Sequence, residues 1–254
     1  MAQIELKKIS VKFGGLLALS SLSFTIGQGK IVGLIGPNGA GKTTVFNVLT
    51  GVYQASEGDV IFDGKSILGK SPHQIFEKGI ARTFQNIRLF SNMTAVENAM
   101  VARHCRTKKG VIGSILRTKS QKKEEAEIRE KALEALRFMG VEKHADDIAS
   151  NLAYGSQRRL EIARAIASDP KVILLDEPAA GMNPSETSKL MEDIARISEL
   201  GIDVLLVEHD MKVVMGVCDH IVCVDHGIKI AEGNSNEIQQ NPKVIEAYLG
   251  QPAK

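Results

Sequence analysis

Short apolar runs alternate along this chain with stretches of helical periodicity. Ile31-Val32-Gly33-Leu34-Ile35, Val172-Ile173-Leu174-Leu175 and Val204-Leu205-Leu206-Val207 are too short for helices and have no polar face. That pattern predicts strands buried on both sides in a parallel sheet. Each is followed by a turn and a helical stretch, the alternation of an α/β fold. The beginning of the chain reads differently. Ile4 to Val11 and Leu22 to Ile26 predict antiparallel strands, and Val60-Ile61-Phe62 ahead of Asp63-Gly64 predicts a hairpin arm.

The middle of the chain is helical in pattern, with no strand signal between Asn98 and Lys171. Thr94-Ala95-Val96-Glu97 has the spacing of a capping box, in which Thr and Glu satisfy the first free N–H groups of a helix. Ser120 to Met139 is highly charged, with Ile128, Leu133, Leu136 and Phe138 interspersed, and predicts an amphipathic helix. The expectation is one domain over residues 1–254. Its α/β core, with the antiparallel β-subdomain, takes residues 1–85 and 159–254, and a helical subdomain is inserted at residues 86–158.

Composition acts mainly by exclusion. Trp is absent and aromatics are 4% of the chain, so platforms for stacking bases are scarce and no nucleic-acid partner is expected. A net charge of +2 creates no global field toward polyanions. The local distribution is uneven: eight Lys/Arg and no acid fall between Arg103 and Lys123, which leaves the rest of the chain net acidic. The three cysteines, Cys105, Cys218 and Cys223, have no C-x-x-C spacing, so free thiols are expected rather than a disulfide frame or zinc site. Met1 to Lys8 has no apolar signal core, and no apolar run approaches the roughly 18 residues of a membrane span.

The candidate chemistry begins at Gly36-Pro37-Asn38-Gly39-Ala40-Gly41-Lys42-Thr43-Thr44. It follows a predicted strand and opens a predicted helix, Lys42 to Leu49, the context in which G-x-x-x-x-G-K-T cradles phosphates. Glycines let the loop wrap closely and aim backbone N–H groups inward, and the helix N-terminus adds positive potential. Lys42 would reach the β- and γ-phosphates of ATP, and the Thr43 hydroxyl would ligate Mg²⁺. A strand ending in Asp176-Glu177 puts carboxylates at the C-terminal edge of the sheet, where ligands of open α/β sheets bind. Asp176 would hold Mg²⁺ through water, and Glu177 would act as general base on the attacking water.

Taken in order, these residues resemble the ATP-binding-cassette ATPases, the nucleotide-binding subunits of ABC transporters, from about Ile4 to Gly233. The resemblance implies a P-loop NTPase (RecA-like) core with an N-terminal antiparallel β-subdomain and an inserted helical subdomain. Phe13 matches the aromatic that stacks on adenine. Gln85, in Arg82-Thr83-Phe84-Gln85, matches the Q-loop glutamine that senses Mg²⁺ and γ-phosphate and relays to the membrane subunit. Leu152-Ala153-Tyr154-Gly155-Ser156 matches the signature motif, which covers the γ-phosphate of ATP held by the partner subunit. Asp176 and Glu177 match the Walker B pair, Ala180-Gly181-Met182-Asn183 the D-loop, and His209 the switch histidine that contacts γ-phosphate.

Three positions, two in the signature segment and one in the D-loop, depart from the family pattern. Ala153 and Tyr154 stand where it has serine and glycine, and Asn183 stands where it has aspartate. Losing one charge-assisted hydrogen bond of roughly 1.5–3 kcal/mol would weaken closure on the partner's ATP about 10- to 100-fold, offset by the Gly155 N–H and the helix dipole.

These departures, the basic segment and the tail Val244-Ile245-Glu246-Ala247-Tyr248-Leu249-Gly250 are similar to the larger ATPase subunit of branched-chain amino-acid importers. That resemblance implies membrane permeases, a second ABC ATPase forming a heterodimer (or a homodimer), and an extracytoplasmic substrate-binding protein acting through the permeases. It places the chain peripherally on the cytoplasmic face of the cell membrane. The basic segment would face the membrane surface, where anionic lipids favour each nearby Lys/Arg by about 1 kcal/mol; a solvated face is the commoner use of such a run. Alternatives are an importer of urea, amides or other amino acids, a lipid or lipopolysaccharide exporter, a ribosome- or DNA-acting ABC ATPase, and a regulator without turnover.

Overall fold

The computed structural model describes residues 3–27, 29–106 and 119–249. Residues 107–118, with Lys108, Lys109 and Arg117 of the basic run, lie outside them, so the membrane-facing expectation for that run falls largely outside the described residues. The chain forms two compact units, residues 1–82 with 171–254, and residues 83–170.

The first unit holds two sheets. β1 (Gln3–Phe13), β2 (Leu16–Gly27), β4 (Glu57–Phe62) and β5 (Lys65–Ser66) form an antiparallel sheet in the order β2-β1-β4-β5. β3 (Ile31–Ile35), β6 (Ile80–Arg82), β7 (Val172–Asp176), β8 (Asp203–Val207), β9 (His220–Asp225) and β10 (Ile228–Gly233) form the second, in the order β10-β9-β3-β8-β7-β6. Only β10 runs antiparallel to its neighbour. Every residue of β3, β7 and β8 is buried, which is why these runs lack the polar alternation of one-sided strands.

Helices α1 (Lys42–Leu49), α2 (Pro72–Lys78), α6 (Pro184–Glu199), α7 (Met211–Val217), α8 (Ser235–Gln239) and α9 (Pro242–Leu249) complete this unit. Phe46, Val45 and Leu49 of α1 share a core with Ile4, Leu19, Leu34 and Leu174. That common core ties the phosphate-loop helix to both sheets.

The second unit is built on α3 (Ala95–Arg103), α4 (Lys119–Phe138) and α5 (Tyr154–Ala167). The Thr94–Glu97 capping box forms: the Thr94 side chain accepts from the Glu97 N–H at 3.3 Å, and the Thr94 N–H donates to Glu97 Oε2 at 2.8 Å. α5 is continuous across Arg158, with Leu160, Ile162 and Ala163 buried along it. The compact unit runs from Thr83 to Pro170.

Candidate functional site

Three loops leave one edge of the six-stranded sheet side by side. β3, β8 and β7 are parallel neighbours in register, with both Leu34 and Asp176 opposite Val207. The segments that follow them, Gly36–Thr44, Glu177 and Glu208-His209-Asp210, therefore emerge together. Ligands of open α/β sheets bind at this edge.

The Gly36–Thr44 loop turns on two glycines. Gly36 has φ 151°, and a Cβ there would lie 2.0 Å from the Val224 carbonyl oxygen. Gly41, at φ 105°, occupies the cap position of α1 and has no side chain to cap with. This matters because side chains cap α2, α3, α6, α7 and α8, through Ser71, Thr94, Asn183, Asp210 and Asn234. α1 and α5 lack a side-chain cap, at Gly41 and Ala153. Their first N–H groups are left to other acceptors, and phosphate oxygens suit a helix N-terminus electrostatically. Lys42 donates from Nζ to the Gly36 and Pro37 carbonyls at 2.6 and 2.9 Å. Burial holds its ammonium below the ordinary lysine range, partly countered by Glu177, Cys223 and Asp176. Thr43 is exposed beside it, and Pro37, Asn38, Gly39, Ala40 and Thr44 fill the rest of the loop.

Asp176 is buried, and its carboxylate accepts from Arg82 Nη2 at 2.8 Å. Arg82 in turn donates from Nη1 to Asn47 of α1 at 2.8 Å and lies over the Phe46 ring. The chain then turns sharply at Glu177, whose φ of 45° lies in the left-handed region. A non-glycine residue there carries strain of order 1–3 kcal/mol, offset by surrounding contacts such as its N–H bond to the Val207 carbonyl at 2.9 Å. This turn leaves a Glu177 carboxylate oxygen 3.5 Å from His209 Nδ1. Behind them, buried Glu208 accepts from the Ala179 N–H at 2.8 Å and the His209 N–H at 3.3 Å. Burial raises the Glu208 carboxyl above the ordinary range.

Phe13 is not core. It is 44% exposed at the end of β1, with its ring edge-on to Tyr53 at 5.0 Å. Asn183, in place of the family's aspartate, caps α6 by accepting from the Glu186 N–H at 3.0 Å. Asparagine is among the strongest N-caps, so this position has a local structural use.

The second unit carries Gln85 and Leu152–Ser156. Gln85 is exposed, and its carbonyl accepts from Arg158 Nη2 at 2.7 Å. Arg158 Nη1 donates to the Phe84 carbonyl at 2.7 Å and to Glu161 at 2.9 Å, and Nη2 reaches the Tyr154 hydroxyl at 3.3 Å. The Arg158 and Glu161 side chains are fully buried. Tyr154 thus supplies an acceptor that a glycine could not, while Gly155 is buried and Ser156 half-buried in the first turn of α5.

Among the described residues no cluster of three or more His, Cys, Asp or Glu side chains is placed to hold a metal. The donors at this edge, one threonine hydroxyl and one aspartate, suit Mg²⁺, which commonly uses one or two carboxylates together with substrate phosphates and water.

Sequence reasoning gave no individual role to Arg82, Arg158, Glu208, Tyr53 or Tyr248. One signal was present for Arg158: it and Glu161 share the apolar stripe of α5 with Ile162 and Ala165, where unpaired charges are costly.

Residues 19–180 match the family model of ABC transporters, and residues 229–254 match that of the branched-chain amino acid ATP-binding cassette transporter. The high-affinity branched-chain amino acid transport ATP-binding protein BraF of Pseudomonas aeruginosa is 46% identical over 249 residues, 98% of either chain. LivG of Escherichia coli K12, a high-affinity branched-chain amino acid transport ATP-binding protein, is 45% identical over 249 residues, again 98% of either chain. Among solved structures, the ADP conformation of MJ1267, an ATP-binding cassette of an ABC transporter, superposes with a TM-score of 0.85 at 33% identity. That match covers 99% of this chain and 100% of the other.

Proposed function

This chain belongs to the ABC transporter family of ATP-binding cassettes, and we propose that it is the ATP-hydrolysing subunit of an importer of branched-chain amino acids. The observation that carries the substrate class is the likeness to BraF over nearly the whole chain, together with the separate match of its tail, residues 229–254.

In this reading the Gly36–Thr44 loop wraps the ATP phosphates, and Lys42 exchanges its two carbonyl contacts for β- and γ-phosphate oxygens. Phe13, backed by Tyr53, offers its exposed face to adenine. Mg²⁺, when bound, would neutralise charge on the β- and γ-phosphates, and Thr43 and Asp176 are the residues that would hold it. Glu177 takes the proton of the attacking water, and His209, at 3.5 Å from it, contacts the γ-phosphate. The uncapped start of α5, from Leu152 through Ala153, Tyr154 and Gly155 to Ser156, offers N–H groups to a nucleotide bound by a second ATPase subunit.

No helix among the described residues is long and apolar enough to cross a membrane, so coupling to transport requires membrane permease subunits. We place the chain on their cytoplasmic face, with a second ABC ATPase and, across the membrane, an extracytoplasmic substrate-binding protein.

The direct test is uptake of radiolabelled leucine by cells lacking this chain. Loss of high-affinity leucine uptake, restored by the wild-type chain and not by Lys42→Ala, is expected. Unchanged leucine uptake with lost uptake of urea or short amides would move the chain to a related importer. Loss of lipopolysaccharide export instead would make it an exporter subunit.

The Arg82–Asp176 contact carries its own prediction. Arg82→Lys keeps a cation but cannot span Asp176 and Asn47 with one planar fork. Losing one charge-assisted hydrogen bond should lower stability by about 1.5–3 kcal/mol, read as an earlier midpoint in urea unfolding. An unchanged midpoint would show that the fork adds nothing to the fold.

A further inference from the structure

The tail of the chain reaches the phosphate loop. Tyr248, near the end of α9, accepts a hydrogen bond on its hydroxyl from the Gly36 N–H at 2.9 Å, across 212 residues of sequence. Gly36 is buried and cannot yield sideways, because β9's Val224 carbonyl occupies the space a Cβ would take. Its own carbonyl is the 2.6 Å acceptor for Lys42 Nζ. One residue thus links the Tyr248 hydroxyl to the lysine that serves the phosphates. The β9–β10 turn holds the loop from a second side, with the Gly227 N–H donating to the Ala40 carbonyl at 3.0 Å. Beside these contacts lies a cavity of about 490 Å³, walled by Pro37 and Asn38 on the loop and by Lys243, Glu246 and Ala247 on α9. The family match that covers the loop stops at residue 180, whereas Tyr248 lies within the tail match at residues 229–254.

We propose that Tyr248 is a positioning residue for ATP binding: its hydroxyl fixes the start of the Gly36–Thr44 loop, so that the C-terminal helix tunes nucleotide affinity. The inference rests on the reading of that loop as the ATP site. A buried N–H without its acceptor favours a shifted backbone. The loop N–H groups and Lys42 would then meet the phosphates in poorer geometry. Chemistry at Glu177 lies on a different strand end and is left in place. The effect therefore falls on binding rather than on turnover. Burial pushes the phenol up to about 12, so it stays neutral across the working pH range.

The test is Tyr248→Phe in the full chain, which removes the hydroxyl and keeps the ring. Titration with a fluorescent ATP analogue and steady-state ATPase assays should show Kd and KM for Mg·ATP raised about 3- to 10-fold, with kcat within about twofold. A Kd unchanged from wild type, or a fall confined to kcat, would overturn the proposal. Should the variant fold poorly, hydrogen exchange of the Gly36 amide in the wild-type chain decides. Protection is expected, and exchange as fast as that of an exposed loop amide would refute it. Lys42→Ala separates the two readings. If it binds the analogue as wild type does, the loop is not the ATP site and both readings fall. If it loses binding while Tyr248→Phe does not, only the role of Tyr248 falls.

Discussion

Glu177→Gln should abolish ATP turnover while leaving ATP bound. The substitution keeps side-chain length, and glutamine meets the same backbone demand at φ 45° as glutamate, so the turn after β7 survives. What it removes is the carboxylate 3.5 Å from His209 that we propose as the general base. A positioned general base contributes about 10²- to 10⁴-fold to rate, and a loss of that size is expected in phosphate release. The Gly36–Thr44 loop, where we propose the phosphates bind, is untouched, so the Kd for Mg·ATP should stay within about threefold of wild type. On the proposed pairing with a second ATPase subunit, closure of the site should then persist, because ATP is not consumed. Full turnover by this variant would show that the base is another residue.

The second large effect is expected at Arg158. Its guanidinium is fully buried and anchors the Phe84 and Gln85 carbonyls while pairing with Glu161. Arg158→Ala removes the 2.9 Å partner of the buried Glu161 carboxylate and leaves it Arg164 at 3.9 Å and the Arg88 N–H at 3.2 Å. Losing one partner of a buried pair typically costs about 3–5 kcal/mol, and the remaining contacts put the expected loss at the low end, about 3 kcal/mol. The midpoint of urea unfolding should fall accordingly. Burial already raises the Glu161 carboxyl above the ordinary value of 4.5, and the variant would raise it further. A carboxyl raised in the fold is penalised only once pH climbs above its unfolded value. The penalty grows until the folded value is passed. The electrostatic part of the deficit should therefore shrink as pH falls toward 4.5.

A double variant, Arg158→Met with Glu161→Leu, separates stability from function. Replacing a buried ion pair by apolar residues is often neutral or stabilising, so much of the stability should return. ATPase activity should not, because the Phe84 and Gln85 carbonyls still lack their donor. Recovery of both would reduce Arg158 to a packing residue.

The comparison of Glu177 with Arg158 shows where sequence reading succeeds. Glu177 follows an apolar run and a phosphate loop of recognisable spacing, so its place at the sheet edge could be inferred from local pattern alone. The strands at Ile31–Ile35, Val172–Asp176 and Asp203–Val207 were legible for the same reason. Burial on both faces leaves no polar alternation to confuse them. The short β6 at Ile80–Arg82 and the β9–β10 hairpin were not. A three-residue strand has too little periodicity to register, and the hairpin shows its pairing only in space.

The α/β class, the antiparallel and helical insertions, the Gly36–Thr44 loop and the strand ending at Asp176 were all legible in the order of residues alone. These depend on periodicity, on glycine at backbone positions no other residue tolerates, and on spacings along one strand–loop–helix unit. The groups that support them emerge only on folding: Arg82 across to Asp176, Arg158 back to Phe84 and Gln85, Glu208 beneath Ala179, and Tyr248 on Gly36. Local pattern is written by the backbone's preferences over a few residues. A hydrogen bond between positions 36 and 248 leaves no mark on either neighbourhood, because its geometry exists only once the sheet has ordered its strands and the core has fixed their distance.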